Sequence, residues 1–251
     1  MNSKDRIEYV RSLIKSWGRI SVSELSKQTS VSEETIRRDL DALESEGCIT
    51  RVYGGAQWNE NTPAVMKLAD KEVENLDEKK KIALLLNQFV DGRMSLLADA
   101  STTCAEALYA MRDKKDLTVV TNSALIFRKV SDLNYDLIST GGTFNPRTMS
   151  FQGEIARKNL SSYHADLALF SCQGVTRSGG VYDSNDGEID MKRKLIANAG
   201  KSALLADHTK FDHSDFLLFL KTEDLDYIFT DERPSDEWID FCKEHQIELI
   251  F

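Results

Sequence analysis

Residues 30–56 read SVSEETIRRDLDALESEGCITRVYGGA, and the order of residue types in this stretch decides the fold of the first part of the chain. Ser32 suits a helix N-cap, and Glu33 and Glu34 fall in the first turn, where the positive end of a helix favours carboxylates. Ile36, Leu40 and Leu43 then form one apolar stripe, so the spacing predicts a helix that ends at Gly47. Thr35, Arg37 and Arg38 lie largely off that stripe. Beyond Gly47, CITRVYGGAQW alternates apolar and polar residues and carries Gly54-Gly55, which predicts a small β-hairpin, or wing, bearing Arg51 and Tyr53.

Working back from Ser30, Thr29-Ser30 breaks the helical pattern, and Ser21 or Ser23 can cap a short helix that ends near Gln28 with Leu25 inward. Residues 4–16 place Ile7, Val10, Leu13 and Ile14 at helical spacing before Trp17-Gly18 ends the run. Two short helices joined by a tight turn, over about residues 20–39, have helix-turn-helix proportions. Double-stranded DNA is the expected partner: Ser32, Glu33, Thr35, Arg37 and Arg38 from the helix, and Arg51 and Tyr53 from the wing. A charged helix exposed to water would explain IRRDL alone, but it leaves the order of helix, short helix, capped helix and Gly-Gly hairpin without a reason.

The charge balance divides the chain. Residues 1–57 hold nine Lys+Arg and nine Asp+Glu, so the formal charge of −9 over 251 residues arises entirely from the remainder. An acidic chain of pI about 5.1 is ill suited to coat nucleic acid or membrane, so polyanion contact must be local. No run approaches the roughly 18 apolar residues of a membrane span, and MNSKDRIEYV lacks the apolar core of a signal peptide, which predicts a cytoplasmic protein. Cys48, Cys104, Cys172 and Cys242 lie far apart without a CxxC pair, as reduced structural thiols would.

Residues 58–76 lose periodicity around Pro63 and are expected to be a linker, with 77–251 as the second domain. From Met94 onward MSLLA, LTVVT, YDLIST, DLALF, SALLA, DYIFT and IELIF are strand candidates that alternate with helical patterns, which predicts an α/β domain with a parallel sheet. Ligands of such sheets sit at the carboxyl ends of the strands, and five of those ends are small and polar. They are Asp99-Ala100-Ser101-Thr102-Thr103, Thr121-Asn122-Ser123, Gly141-Gly142-Thr143, Ser171-Cys172-Gln173-Gly174 and Asp207-His208-Thr209-Lys210. Together they point to one polar pocket with room for a phosphate. Asp183, Asp186, Glu188 and Lys192 could bond sugar hydroxyls, with a solvated loop and helix start equally open.

Two apparent motifs fail. Gly200-Lys201-Ser202 ends like a phosphate-binding P-loop, but position 195 is Leu rather than Gly and the segment runs from helix to strand. His208 and His213 lack a third credible ligand, so no metal and no cofactor is expected.

The stretch VSEETIRRDLDALESEGCITRVYGGA strongly resembles the N-terminal signature of the DeoR family of bacterial transcription regulators. DASTT, VVTNS, STGGT, ADLALFSCQGV and LADHTKF resemble the effector domain of that family, which is related in fold to ribose-5-phosphate isomerase. The resemblance implies regulation of a sugar-catabolism operon, a phosphorylated sugar as effector, and a homo-oligomer, dimer or tetramer. Repression and activation both remain open. It implies an effector site at Asp99, Ser101, Thr102, Thr103, Asn122, Gly142, Gly174 and Lys210, to which the strand-end reading adds Thr121, Ser123, Gly141 and Gln173, and the candidate hydroxyl-bonding loop and helix start adds Glu188 and Lys192. Ala100 stands where the family usually has glycine, and Ser171-Cys172 where Gly-Ala is common; DASTTC, SCQG and VYDSN look most like the branch that activates L-fucose operons, which answers to a ketose 1-phosphate. The fold relationship leaves a sugar-phosphate isomerase with an accessory DNA-binding module as the alternative. Nothing in the sequence forces the opposed acid and base that such an enzyme needs, so no catalytic residue is expected.

Overall fold

The computed structural model describes residues 3–45, 47–59, 64–129 and 132–251, and divides into two compact units, Met1–Asp70 and Lys71–Phe251. In the first unit α1 (Ser3–Trp17), α2 (Val22–Thr29) and α3 (Glu33–Ser45) surround a core of Val10, Ile14, Leu25, Ile36, Leu40 and Leu43. Ser21 caps α2 by accepting from the Glu24 amide at 3.1 Å, and Ser30 ends it in the left-handed conformation (φ 56°), which turns the chain into α3. The expected hairpin is present as β2 (Ile49–Val52) and β3 (Gly55–Trp58). A third strand, β1 (Arg19–Ser21), pairs antiparallel with β3 and was not visible in the sequence. Asp39 is buried in α3 and takes a two-pronged bond from Arg6 of α1, at 2.6 and 3.0 Å.

The expected linker contains α4 (Ala64–Val73); Pro63, on which that expectation turned, lies outside the described residues. The second unit continues with α5 (Leu76–Phe89), β4 (Ser95–Ala98), α6 (Thr102–Ala110), β5 (Thr118–Thr121), α7 (Ala124–Lys129) and β6 (Asp136–Ser139). A hairpin of β7 (Thr143–Asn145) and β8 (Ser150–Gln152) leads to α8 (Gly153–Leu160) and β9 (Ala165–Phe170). Then come β10 (Gly174–Val175), β11 (Val181–Asp183), α9 (Asp186–Ala197), β12 (Ala199–Leu205), β13 (Leu217–Leu220), β14 (Tyr227–Phe229), α10 (Asp236–Glu244) and β15 (Glu248–Ile250).

All seven predicted strands join one sheet in the order β15-β14-β12-β9-β4-β5-β6, and every pairing in it is parallel. Both faces of the sheet are covered, so its central strands β4 and β9 are largely apolar on both sides. Leu96, Ala98, Leu167 and Leu169 pack with α5 and α6, whereas Leu97, Ala168 and Met191 pack on the α8 and α9 side. The chain runs outward from β4 to β6, then returns to β9 beside β4 and runs the other way. The order therefore reverses between β4 and β9, and the crevice beyond their carboxyl ends is where a doubly wound sheet offers a ligand site. β10, β11 and β13 form a small antiparallel sheet that the sequence did not reveal.

Candidate functional site

The DNA-facing candidates sit on α3 and the wing. Ser32 Oγ accepts the Thr35 amide at 3.2 Å and bonds Thr35 Oγ1 at 2.9 Å, so both hydroxyls hold the start of α3. Arg37 bonds Glu33 at 2.9 Å and lies 3.7 Å from Glu34, which in turn lies 3.7 Å from Arg38 Nε. The glutamates thus orient the arginines as well as favouring the helix start. Exposed pairs of this kind are weak, and Arg38, 78% exposed along its side chain, can exchange its partner for a phosphate at little cost. Arg51 bonds Asp41 at 2.5 Å and the Arg37 carbonyl at 3.3 Å, and its amide donates to Glu44 at 3.0 Å. Its guanidinium ties the wing to α3. Tyr53 stands fully exposed at the hairpin tip.

In the second unit a narrow pocket, with a cavity volume of about 10 Å³, opens at the strand reversal, lined by Asp99, Ala100, Ser101, Asn122, Glu188, Met191 and Lys192. Ser101 caps α6 by accepting the Cys104 amide at 3.1 Å, and its own amide donates to Asp99 Oδ1 at 2.9 Å. Asp99 Oδ2 accepts the Ser171 amide from the end of β9 at 3.1 Å, which ties the two diverging halves of the sheet together. The Lys192 ammonium is buried and bonds the Ser171 carbonyl at 2.7 Å and the Asp183 carboxylate, with Asp99 Oδ2 at 3.3 Å. A solvated loop and helix start is therefore excluded for Asp183 and Lys192, both of which are buried.

Burial opposes the charge on Lys192, but the fields of Asp99, Asp183 and Glu188 outweigh it and raise its pKa, so the ammonium stays protonated. Glu188 is pushed up to about 7, chiefly because burial disfavours its carboxylate; Asp183 and Asp99 add to the rise, and Lys192 and Lys71 oppose it. Asn122 is buried, and its amide group donates to the Phe151 carbonyl at 3.2 Å while its Oδ1 has no hydrogen-bond partner.

Of the expected effector residues, five line this pocket: Asp99, Ser101, Asn122, Glu188 and Lys192. The others stand around it. Thr121 Oγ1 donates to the Ala98 carbonyl and accepts the Ser123 amide, and Ser123 Oγ accepts the Ile126 amide to start α7. Thr102 bonds the Lys71 carbonyl at 3.3 Å, and Thr103 is buried in the first turn of α6. Gly141 and Gly142 both have positive φ (59° and 112°), and a Cβ on Gly142 would come within 2.7 Å of the Gln152 carbonyl, so packing alone requires that glycine. Gly174 likewise lies against the His213 backbone, and the Gln173 amide bonds the Tyr182 carbonyl at 2.9 Å. Lys210 closes a 3-10 turn after β12 and does not line the pocket. His208 bonds Asp231 at 2.9 Å, and with Glu232 these form a cluster of potential ligand atoms within 4.8 Å that the sequence reading did not foresee. All four cysteines are buried.

Comparison with known proteins places these units in context. Residues 6–62 match the DeoR-like helix-turn-helix domain and residues 74–232 the DeoR C terminal sensor domain. The chain is 33% identical over 245 residues to the HTH-type transcriptional regulator IolR of Bacillus subtilis (strain 168), covering 97% of each chain. It is 30% identical over 251 residues to the L-fucose operon activator of Haemophilus influenzae (strain ATCC 51907 / DSM 11121 / KW20 / Rd), covering 100% of each. Among solved structures, ribose 5-phosphate isomerase A of Methanocaldococcus jannaschii overlaps 55% of each chain at 15% identity with a TM-score of 0.42. The close relatives are regulators rather than enzymes, and the described residues contain no helix long and apolar enough to cross a membrane. With a DeoR-like helix-turn-helix unit joined to a DeoR sensor domain, the chain belongs to the DeoR family of transcription regulators.

Proposed function

We propose that the chain controls a carbohydrate-catabolism operon by binding operator DNA through α3 and the wing, and that a phosphorylated sugar bound at the strand-reversal pocket sets its affinity for that DNA. The observation that carries this reading is the buried Lys192, held among Asp99, Asp183 and Glu188 beside an enclosed polar space. A core gains little from burying such a group for stability alone. Oligomeric assembly, as a dimer or tetramer, belongs to the same proposal: two α3 helices spaced about 34 Å apart would meet successive major grooves on one side of the duplex, and effector binding would change that spacing.

An isomerase would need a base and an acid on opposite sides of its substrate. Glu188 could serve as a base, but Lys192 donates to the Ser171 carbonyl and Asp183 and is paired with Asp99, and the regulator relatives favour sensing. A thermal-shift screen against sugar phosphates tests the proposal. A ligand at 100 times its Kd stabilises by about 2.7 kcal/mol, or roughly 5–11 °C for a unit of this size. Failure of every pentose, hexose and triose phosphate to shift the melting temperature would refute it.

A further inference from the structure

The enclosed pocket holds one side chain whose chemistry is unfinished. Asn122 is 1% exposed, and its Oδ1 has no partner, although a buried amide oxygen left unpaired is costly. The orientation of the amide is fixed by its other end: Nδ2 donates to the Phe151 carbonyl at 3.2 Å, and turning the group over would set two oxygens against each other. Phe151 is in turn held by its own amide, which donates to the Asn122 carbonyl at 2.7 Å. The pocket therefore presents a fixed, buried acceptor that asks for a donor.

The charge of the pocket narrows what that donor is. Lys192 is the one cation among the lining residues; it donates to the Ser171 carbonyl and to Asp183, and lies 3.3 Å from Asp99 Oδ2. Two acids share that one ammonium, and Glu188 adds a third carboxyl. A phosphate dianion here would meet excess negative charge and no free cation, whereas a hydroxyl meets an acceptor already in place.

We infer that Asn122 reads a hydroxyl of the sugar, accepting its proton at Oδ1, and so sets which sugar the sensor recognises. This rests on the effector reading above. It makes Asn122 a specificity residue rather than a phosphate ligand. A sugar that lacks the matching hydroxyl forgoes that hydrogen bond to the amide oxygen.

Isothermal titration of the full chain tests this. Ribose 5-phosphate, fructose 1-phosphate, fructose 6-phosphate and glucose 6-phosphate are titrated first, and the monodeoxy forms of whichever binds follow. Removal of one particular hydroxyl should weaken binding roughly 10- to 100-fold, and in Asn122→Ala the same removal should cost less than about threefold. A native protein that binds a sugar phosphate but discriminates equally with and without the Asn122 amide would overturn the inference and leave the effector reading standing. Absence of binding by every sugar phosphate would overturn both. The deoxy series in the native protein needs no variant, so a flat series sinks the inference even if Asn122→Ala fails to fold.

Discussion

Replacing Lys192 with methionine shortens the side chain by one atom and removes its charge and its donors. Asp99 would retain two backbone donors, the Ser101 amide at 2.9 Å and the Ser171 amide at 3.1 Å. Asp183 would keep only the Ser184 amide at 2.7 Å on its other oxygen. Two carboxylates, 1% and 2% exposed, would then share a buried site without a counter-ion. Breaking a buried ion pair on one side costs about 3–5 kcal/mol, which lowers the melting temperature of a unit of this size by roughly 6–20 °C. Differential scanning calorimetry of the native and Lys192→Met chains at pH 7.5 reads this directly. Lys192→Met combined with Asp183→Asn should lose at least about 1 kcal/mol less than the sum of the single changes. A melting shift below 2 °C, or simple additivity, would show that the cluster is not electrostatically coupled as described.

Three further outcomes follow from the same geometry. Arg38→Ala should weaken operator binding several-fold and reduce the slope of log affinity against log salt by about 0.9 without altering sugar-phosphate affinity; equal loss of both would contradict two separable units. Burial raises Glu188 from an ordinary 4.5 to about 7, so the folded state holds a proton there that the unfolded state releases, and stability is lost as pH rises from 4.5 through 7. Glu188→Gln should therefore gain on the native protein by about 1–3 kcal/mol at pH 8 and by almost nothing at pH 4; chemical denaturation at the two pH values checks this, and a gain independent of pH would refute it. Asp39→Ala should destabilise the first unit by about 2–4 kcal/mol through the loss of its bond to Arg6, an effect visible as weaker DNA binding at 37 °C and absent from the melting of an isolated sensor unit.

What the sequence revealed, and what it hid, follows from the range of the interactions involved. The seven parallel strands were legible because burial on both faces leaves unbroken aliphatic runs such as Leu167 to Phe170. β1 and β10 were not, because strands of three and two residues carry no period and exist only through their pairing with β3 and β11. The recognition helix was legible because its cap and stripe are local. The role of Arg51 was not, since its bond to Asp41 depends on how the wing folds back on α3. At the sensor site the strand ends gave Asp99, Ser101 and Asn122, but Gly142 and Gly174 answer to close backbone packing, which imitates a ligand-binding glycine in sequence. The ion cluster of Lys192 joins β4, β11 and α9, a convergence that no local pattern records.

In the function proposed above, the pocket between β4 and β9 governs what α3 does at DNA. Its most direct test is the affinity of the full chain for a duplex that the protein itself selects from a random library, measured by fluorescence anisotropy with and without a saturating sugar phosphate identified by thermal shift. The account predicts a change of at least about fivefold, the lower end of common allosteric coupling, and an equal change in sugar-phosphate affinity when DNA is bound. A sugar phosphate that binds tightly at this pocket and leaves the DNA affinity unchanged would contradict it.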